Sequence, residues 1–144
     1  MTARATLAFA VLALVAGSAA AQSRWERQVT EQLRVVGQDL APRGFHTAGE
    51  PFVGELGQGN EETFRVALRT NVTYMLVGLC DEDCKGLELR LLDERDKEVT
   101  ASVQQGDKPA LEVTTDTPGK FRLVVTMARC NTGPCAYGVG IFSK

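Results

Sequence analysis

The chain has 144 residues, with 16 Lys and Arg against 18 Asp and Glu, a single His, and 44% hydrophobic residues. A formal net charge of −2 excludes the basic footprint that steers a protein to nucleic acid or an anionic membrane surface. The length supports one domain with a core of its own, and one histidine excludes metal sites built on two or three imidazoles.

In chain order, Arg4 precedes ten uninterrupted apolar residues from Leu7 to Ala16, and Ser18-Ala-Ala-Ala21 closes the segment. A basic start, a short apolar run and an Ala-x-Ala ending predict a signal peptide over 1–21. Ten apolar residues are half of the roughly 20 needed to span a bilayer, and no Cys follows the run to carry a lipid. Cleavage after Ala21 leaves 123 residues, and because Arg4 is the only charge removed, 15 basic face 18 acidic residues for a net −3. The expected mature protein is exported, periplasmic or extracellular, with no membrane span.

Residues 22–44 read as an amphipathic helix. Ser23-Arg-Trp-Glu26 is a capping box, in which the Ser hydroxyl and Glu carboxylate satisfy each other's backbone N–H groups. Trp25, Val29, Leu33, Val36 and Leu40 then recur at helical spacing along one stripe, and Pro42 and Gly44 stop it. Trp25, Val29 and Leu33 are expected to pack on the rest of the domain; docking of the helix on a partner protein is the other use of such a stripe.

From 45 to 144 the period becomes two, the mark of strands with one wet and one dry face. Phe64, Val66 and Leu68 alternate with Arg65, Ala67 and Arg69; Leu87, Leu89 and Leu91 with Glu88 and Arg90; Phe121, Leu123, Val125 and Met127 with Arg122, Val124 and Thr126. Pro51–Gly57, Thr73–Leu79, Glu98–Val103, Ala110–Thr114 and Ala136–Phe142 supply further strands between turn formers such as Gly57-Gln-Gly-Asn60, Asp93–Lys97 and Thr117-Pro-Gly119. About eight short strands so spaced predict a mostly β domain, an antiparallel, jelly-roll-like sandwich.

Chemistry-bearing motifs are sparse. His46, in Phe45-His46-Thr47, stands without a Gly-x-Ser-x-Gly elbow and reads as an ordinary surface histidine. No phosphate-binding loop or dinucleotide fingerprint is present; Gly57-Gln-Gly59 belongs to a turn. Cys80, Cys84, Cys130 and Cys135 have spacings that a tetrahedral zinc could use, but export favours their oxidation. Proximity favours Cys80–Cys84 with Cys130–Cys135, at roughly 2 kcal/mol per closure, whereas chain entropy favours the long bridges Cys80–Cys130 and Cys84–Cys135, at roughly 4.

The acidic run between the first pair suggests calcium. Asp81 and Asp83 take positions one and three of a calcium loop and Gly86 position six, but Lys85 and Leu92 stand where oxygen ligands are required. Glu88 could contribute, although strand alternation puts it on an exposed face opposite to Leu87 and Leu89. The same carboxylates, without aromatic platforms, make a poor glycosidase pair. Trp25 belongs to the helix stripe, and alternation turns Tyr74 and Tyr137 toward the core, which leaves little to stack against sugar.

The run Gly78-Leu-Cys-Asp-Glu-Asp-Cys-Lys-Gly-Leu-Glu-Leu-Arg-Leu-Leu-Asp93, followed by Pro109–Thr114, Pro118–Met127 and Cys130-Asn-Thr-Gly-Pro-Cys-Ala-Tyr-Gly-Val-Gly-Ile-Phe142, resembles the pre-peptidase C-terminal domain family of bacterial secreted proteins. The resemblance spans Phe52 to Phe142 and implies a jelly-roll-like sandwich, an accessory module of exported hydrolases without catalytic residues. It also implies calcium or an insoluble polymer such as collagen as ligand in some members. This chain departs where relatives tend to carry Asp, at Gly86 and Glu88, and no peptidase accompanies the module in these 144 residues. The expected function is therefore an exported, non-catalytic binding module for a polypeptide or an envelope or extracellular polymer. The alternative is a small periplasmic partner protein, an inhibitor or stabiliser of another exported protein, that would use the helix or the Cys-bearing loops.

Overall fold

The computed structural model describes residues 23–103 and 106–144; the expected signal peptide, 1–21, lies outside them. Helix α1 runs Arg24–Leu40. Both arms of its capping box are made, Glu26 N–H donating to Ser23 Oγ at 3.0 Å and Ser23 N–H to Glu26 Oε2 at 2.8 Å. A 3-10 turn, Ala41–Arg43, carries Pro42, and Gly44 at φ 87° ends it, a left-handed position that glycine adopts without strain.

Among the described residues nine strands follow: β1 His46–Thr47, β2 Phe52–Leu56, β3 Glu61–Leu68, β4 Thr73–Cys80, β5 Cys84–Leu92, β6 Glu98–Ser102, β7 Ala110–Thr114, β8 Gly119–Cys130 and β9 Cys135–Ser143. They form two antiparallel sheets. In the first, β9 pairs with β1 and β2 on one side and β4 on the other, with β7 beyond β4; the second has the order β3-β8-β5-β6. The chain changes sheet between β2 and β3, β3 and β4, β4 and β5, β6 and β7, β7 and β8, and β8 and β9, so most of its corners bridge the layers. The sandwich matches the sequence expectation. Its strands run longer than the hydrophobic alternation alone marks, reaching the cysteines at Cys80, Cys84, Cys130 and Cys135, and β1 lacks the alternation that would announce it.

Between the sheets lie Leu76, Leu87, Leu89, Leu91, Leu123, Val125, Met127, Tyr137 and Val139, among others. Each fully buried aliphatic side chain stabilises by about 1.5–3 kcal/mol relative to exposure. Phe52 stacks on Phe64 at 4.3 Å between ring centroids, linking β2 to β3.

Strand β9 is different, with both faces buried. Cys135, Tyr137, Val139 and Ile141 point to the core, while the other face lies under α1. Gly138 and Gly140 make that approach possible: a Cβ at Gly138 would stand 2.3 Å from Val29 Cγ2, and one at Gly140 2.8 Å from Leu33 Cδ2. Val29 and Leu33 are buried there and Trp25 is half-buried, its Nε1–H donating to the Tyr137 carbonyl at 3.3 Å. The apolar stripe of the helix is thus used inside the molecule, and among the described residues no helix is long and apolar enough to cross a membrane.

Candidate functional site

One end of the sandwich gathers the residues that the sequence singles out. The β4–β5 and β8–β9 corners are neighbours there because Cys84 and Cys130 are register partners on β5 and β8. Cys80 and Cys84 sit at disulfide distance, S–S 2.07 Å, as do Cys130 and Cys135, 2.10 Å. Each pair joins the last residue of a strand in one sheet to the first residue of a strand in the other, so each bridge ties the two layers at a tight corner.

Asp81 laces these corners together. Its Oδ2 accepts from Ala136 N–H at 2.8 Å and its Oδ1 from Cys84 N–H at 3.2 Å, while its own N–H donates to the Ala136 carbonyl at 3.0 Å. Asn131 N–H donates to the Asp83 carbonyl at 2.9 Å, and Gln58 Oε1 receives Cys130 N–H at 3.1 Å from the β2–β3 turn. Lys85 folds back, its Nζ donating to the Glu82 carbonyl at 2.6 Å. The result is a short loop held at both ends and from below, with the Glu82 and Asp83 side chains exposed at its crest.

Beside the crest, Trp25, Gln28 and Gln32 of α1 and Asp107 of the β6–β7 connection complete an open notch of about 380 Å³. A notch walled by Asp81, Glu82, Asp83 and Asp107 presents a negative field to a docking surface. Because the loop is already ordered, binding through it costs little further conformational entropy.

The calcium candidates fare differently from one another. Asp81 turns both oxygens to backbone donors, Asp83 is exposed, and Glu88 is half-buried within β5 opposite Thr126. Gly86 is buried at a bulge in the β5–β8 ladder, where an added Cβ would lie 3.3 Å from the Arg129 nitrogen. Among the described residues no three His, Cys, Asp or Glu side chains form a group suited to a metal ion. His46 is exposed on β1, opposite Ser143.

Tyr74 and Tyr137 are buried. Tyr137 reaches across the sandwich to donate its hydroxyl to Glu62 on β3, past Gly54, where a side chain would collide with the ring and hydroxyl. Burial first, and the Glu62 carboxylate second, push the Tyr137 hydroxyl well above the ordinary phenol range. It is a neutral, structural donor. Sequence reasoning missed the lacing by Asp81 and the Tyr137–Glu62 bond, since both join residues distant in sequence.

No protein-family model and no curated protein matches the chain. Among solved structures it is similar in fold to the pre-peptidase C-terminal domain of a collagenase from Bacillus anthracis, with 16% identity, TM-score 0.49, and coverage of 64% of this chain and 87% of that one. It is also similar to PliG, a periplasmic inhibitor of g-type lysozyme from Aeromonas hydrophila, with 9% identity, TM-score 0.52, and coverage of 71% and 90%. These likenesses are of fold.

Proposed function

We propose that the chain is an exported, non-catalytic module that binds a protein partner through the acidic loop Cys80–Cys84 and the notch beside it. The observation that carries this reading is the clamping of an exposed, charged loop by a bridge, the Asp81 carboxylate and the neighbouring corner; such order serves recognition, because a loop whose only role is to turn the chain needs less. Export is supported by the signal-like segment 1–21 and the paired cysteines. A polypeptide is favoured over an envelope polymer because Tyr74 and Tyr137 are buried and Trp25, half-buried at the wall of the notch, is tied by its indole N–H to the Tyr137 carbonyl, so that among the described residues no aromatic ring stands fully exposed to stack on sugar. The helix stripe is likewise covered by β9, which moves the partner-binding role from α1 to the loops.

The charge of the loop points to a partner with a basic surface, and the fold-level likeness to a lysozyme inhibitor makes exported glycosidases of lysozyme type the first class to test. The test is affinity capture from an envelope extract, alongside inhibition of g-type lysozyme, with the oxidised chain and with a Glu82→Lys/Asp83→Lys variant. A captured or inhibited protein is expected to be released by salt and lost on charge reversal. Capture that survives charge reversal unchanged would refute the assignment to this loop.

A further inference from the structure

The second sheet ends on β3 and β6, the first on β7 and on β1 with β2. Of these strands β3 is the longest, with 8 residues against 5 in β2, β6 and β7 and 2 in β1. A free edge is a template for another strand unless it is short, bulged, covered, or broken by Pro or Lys. On β7 and β6, Glu112 is already bound to Arg43 at 3.1 Å and Glu98 to Arg90 at 3.5 Å. Strand β3 contains no Gly, Pro or Lys, and Glu61, Glu62, Thr63, Arg65 and Ala67 are exposed along it.

Pairing with β8 decides which backbone groups that edge offers. The Asn60 carbonyl accepts from Met127 N–H at 3.0 Å, and the register then runs without a shift from Glu61 opposite Thr126 to Leu68 opposite Gly119. Alternation therefore turns the N–H and C=O groups of Glu62, Phe64 and Val66 to β8, and those of Glu61, Thr63, Arg65 and Ala67 to solvent. The side chains of the latter four lie on the outer face of the sheet, since Val66 and Leu68 are in the core. Glu61 and Arg65 form no ion pair among the described residues. The residue opposite Arg65 on β8 is Arg122, a like charge that disfavours the pair.

We infer that β3 pairs antiparallel with β3 of a second copy of this chain, about a two-fold axis at Thr63. In that register Thr63 faces the partner's Thr63 and Glu61 faces the partner's Arg65, twice over by symmetry, while the backbone groups that β8 leaves free bond across the axis. Threonine pairs and opposite charges directly opposite are favourable cross-strand combinations. The pleat keeps side chains on their own face only for even offsets. Centring on Phe64 would set Arg65 against Thr63 and Glu61 against Ala67, and centring on Glu62 or Arg65 would set like charges against each other. Pairing at Thr63 joins the two four-stranded sheets edge to edge and points the two acidic loops in opposite directions, so it stands whether or not the protein-binding reading does.

The test is sedimentation of the oxidised chain. One strand edge is a small interface, so a dimer with Kd on the order of 10–100 µM is expected. Arg65→Glu and Glu61→Arg each set like charges across the axis, and each alone should weaken dimerisation by about tenfold or more. An equal mixture of these two variants, one doubly acidic and the other doubly basic at the two positions, should associate as tightly as the parent. Thr63→Pro removes an edge donor without touching the ladder to β8 and should give a folded monomer. The inference is overturned if the parent stays monomeric at about 500 µM, well above the expected Kd, if the folded single variants remain monomeric when mixed, or if folded Thr63→Pro dimerises like the parent.

Discussion

The two ends of the sandwich both present aspartates in tight corners, and they use them in opposite ways. At the β5–β6 end, Asp93 folds onto its own turn and caps the N–H groups of Arg95 and Lys97, an arrangement complete within five residues. At the disulfide end, Asp81 reaches 55 residues along the chain to Ala136, and the loop containing it is shaped by a neighbouring corner rather than by itself. A local cap makes a turn; a long-range clamp makes a surface. That difference is why the disulfide end is the stronger candidate for protein recognition, and it can be tested at several strengths.

The largest effect should come from the covalent ties. Each local closure contributes roughly 2 kcal/mol in the chain-entropy model, so Cys80→Ser/Cys84→Ser combined with Cys130→Ser/Cys135→Ser should lose about 4 kcal/mol, read from denaturant unfolding. Peptide mapping of the non-reduced chain checks the connectivity first. Recovery of a Cys80–Cys130 cross-linked peptide would undo the picture of two separate corner ties.

Removing the clamp while leaving the bridges is the next step down. Asp81→Ala strips the acceptor from the buried Ala136 N–H, at a cost of about 1–3 kcal/mol for an orphaned buried donor. Cys84 N–H keeps the Asp81 carbonyl at 3.2 Å, so its loss is partial. Asp93→Ala at the exposed end should cost less, because water can replace the carboxylate at Arg95 and Lys97. Equal losses from the two substitutions would erase the distinction between clamp and cap.

How much of this was legible from sequence follows the same division. The capping box of α1, the turn Asp93–Lys97 and the alternation of β8 depend on residues close in sequence, and each is found where the pattern puts it. Strand β9 hides its environment: Ala136-Tyr-Gly-Val-Gly-Ile-Phe142 alternates, but glycines occupy the face that would ordinarily be polar, because Val29 and Leu33 of α1 fill the space above them. Gly-x-Gly inside a strand was the available signal of a close approach. Asp81 gave no comparable sign. A carboxylate that serves a corner 55 residues away looks in sequence like part of a cation loop, and only the meeting of β5 with β8 assigns it.

Acid titration separates the ends more finely. Asp93 is held below its ordinary value of 3.8, chiefly by the backbone N–H of Lys97 and then that of Arg95. A carboxylate depressed in the folded state contributes stability that is fully present above its unfolded pKa and lost as pH falls through the folded one. The melting-temperature gap between the parent and Asp93→Ala should therefore be constant from neutral pH down to about 5 and close progressively at lower pH. A gap that widens on acidification would contradict the cap.

The smallest expected effect is a null. If Asp81, Asp83 and Glu88 held calcium, the ion would stabilise the native state by about 2.7 kcal/mol at a hundredfold excess over Kd. The clamp argues against it, since binding would have to take Asp81 oxygens away from Ala136 and Cys84 N–H groups, and Lys85 folds its ammonium onto the Glu82 carbonyl. Gly86, buried at the bulge, offers no carboxylate of its own. Millimolar calcium should leave the melting temperature where an equal concentration of magnesium leaves it. A calcium-specific rise of several degrees, abolished by Asp83→Asn, would show instead that the disulfide end is a cation loop and that Asp81 exchanges its backbone partners for the ion.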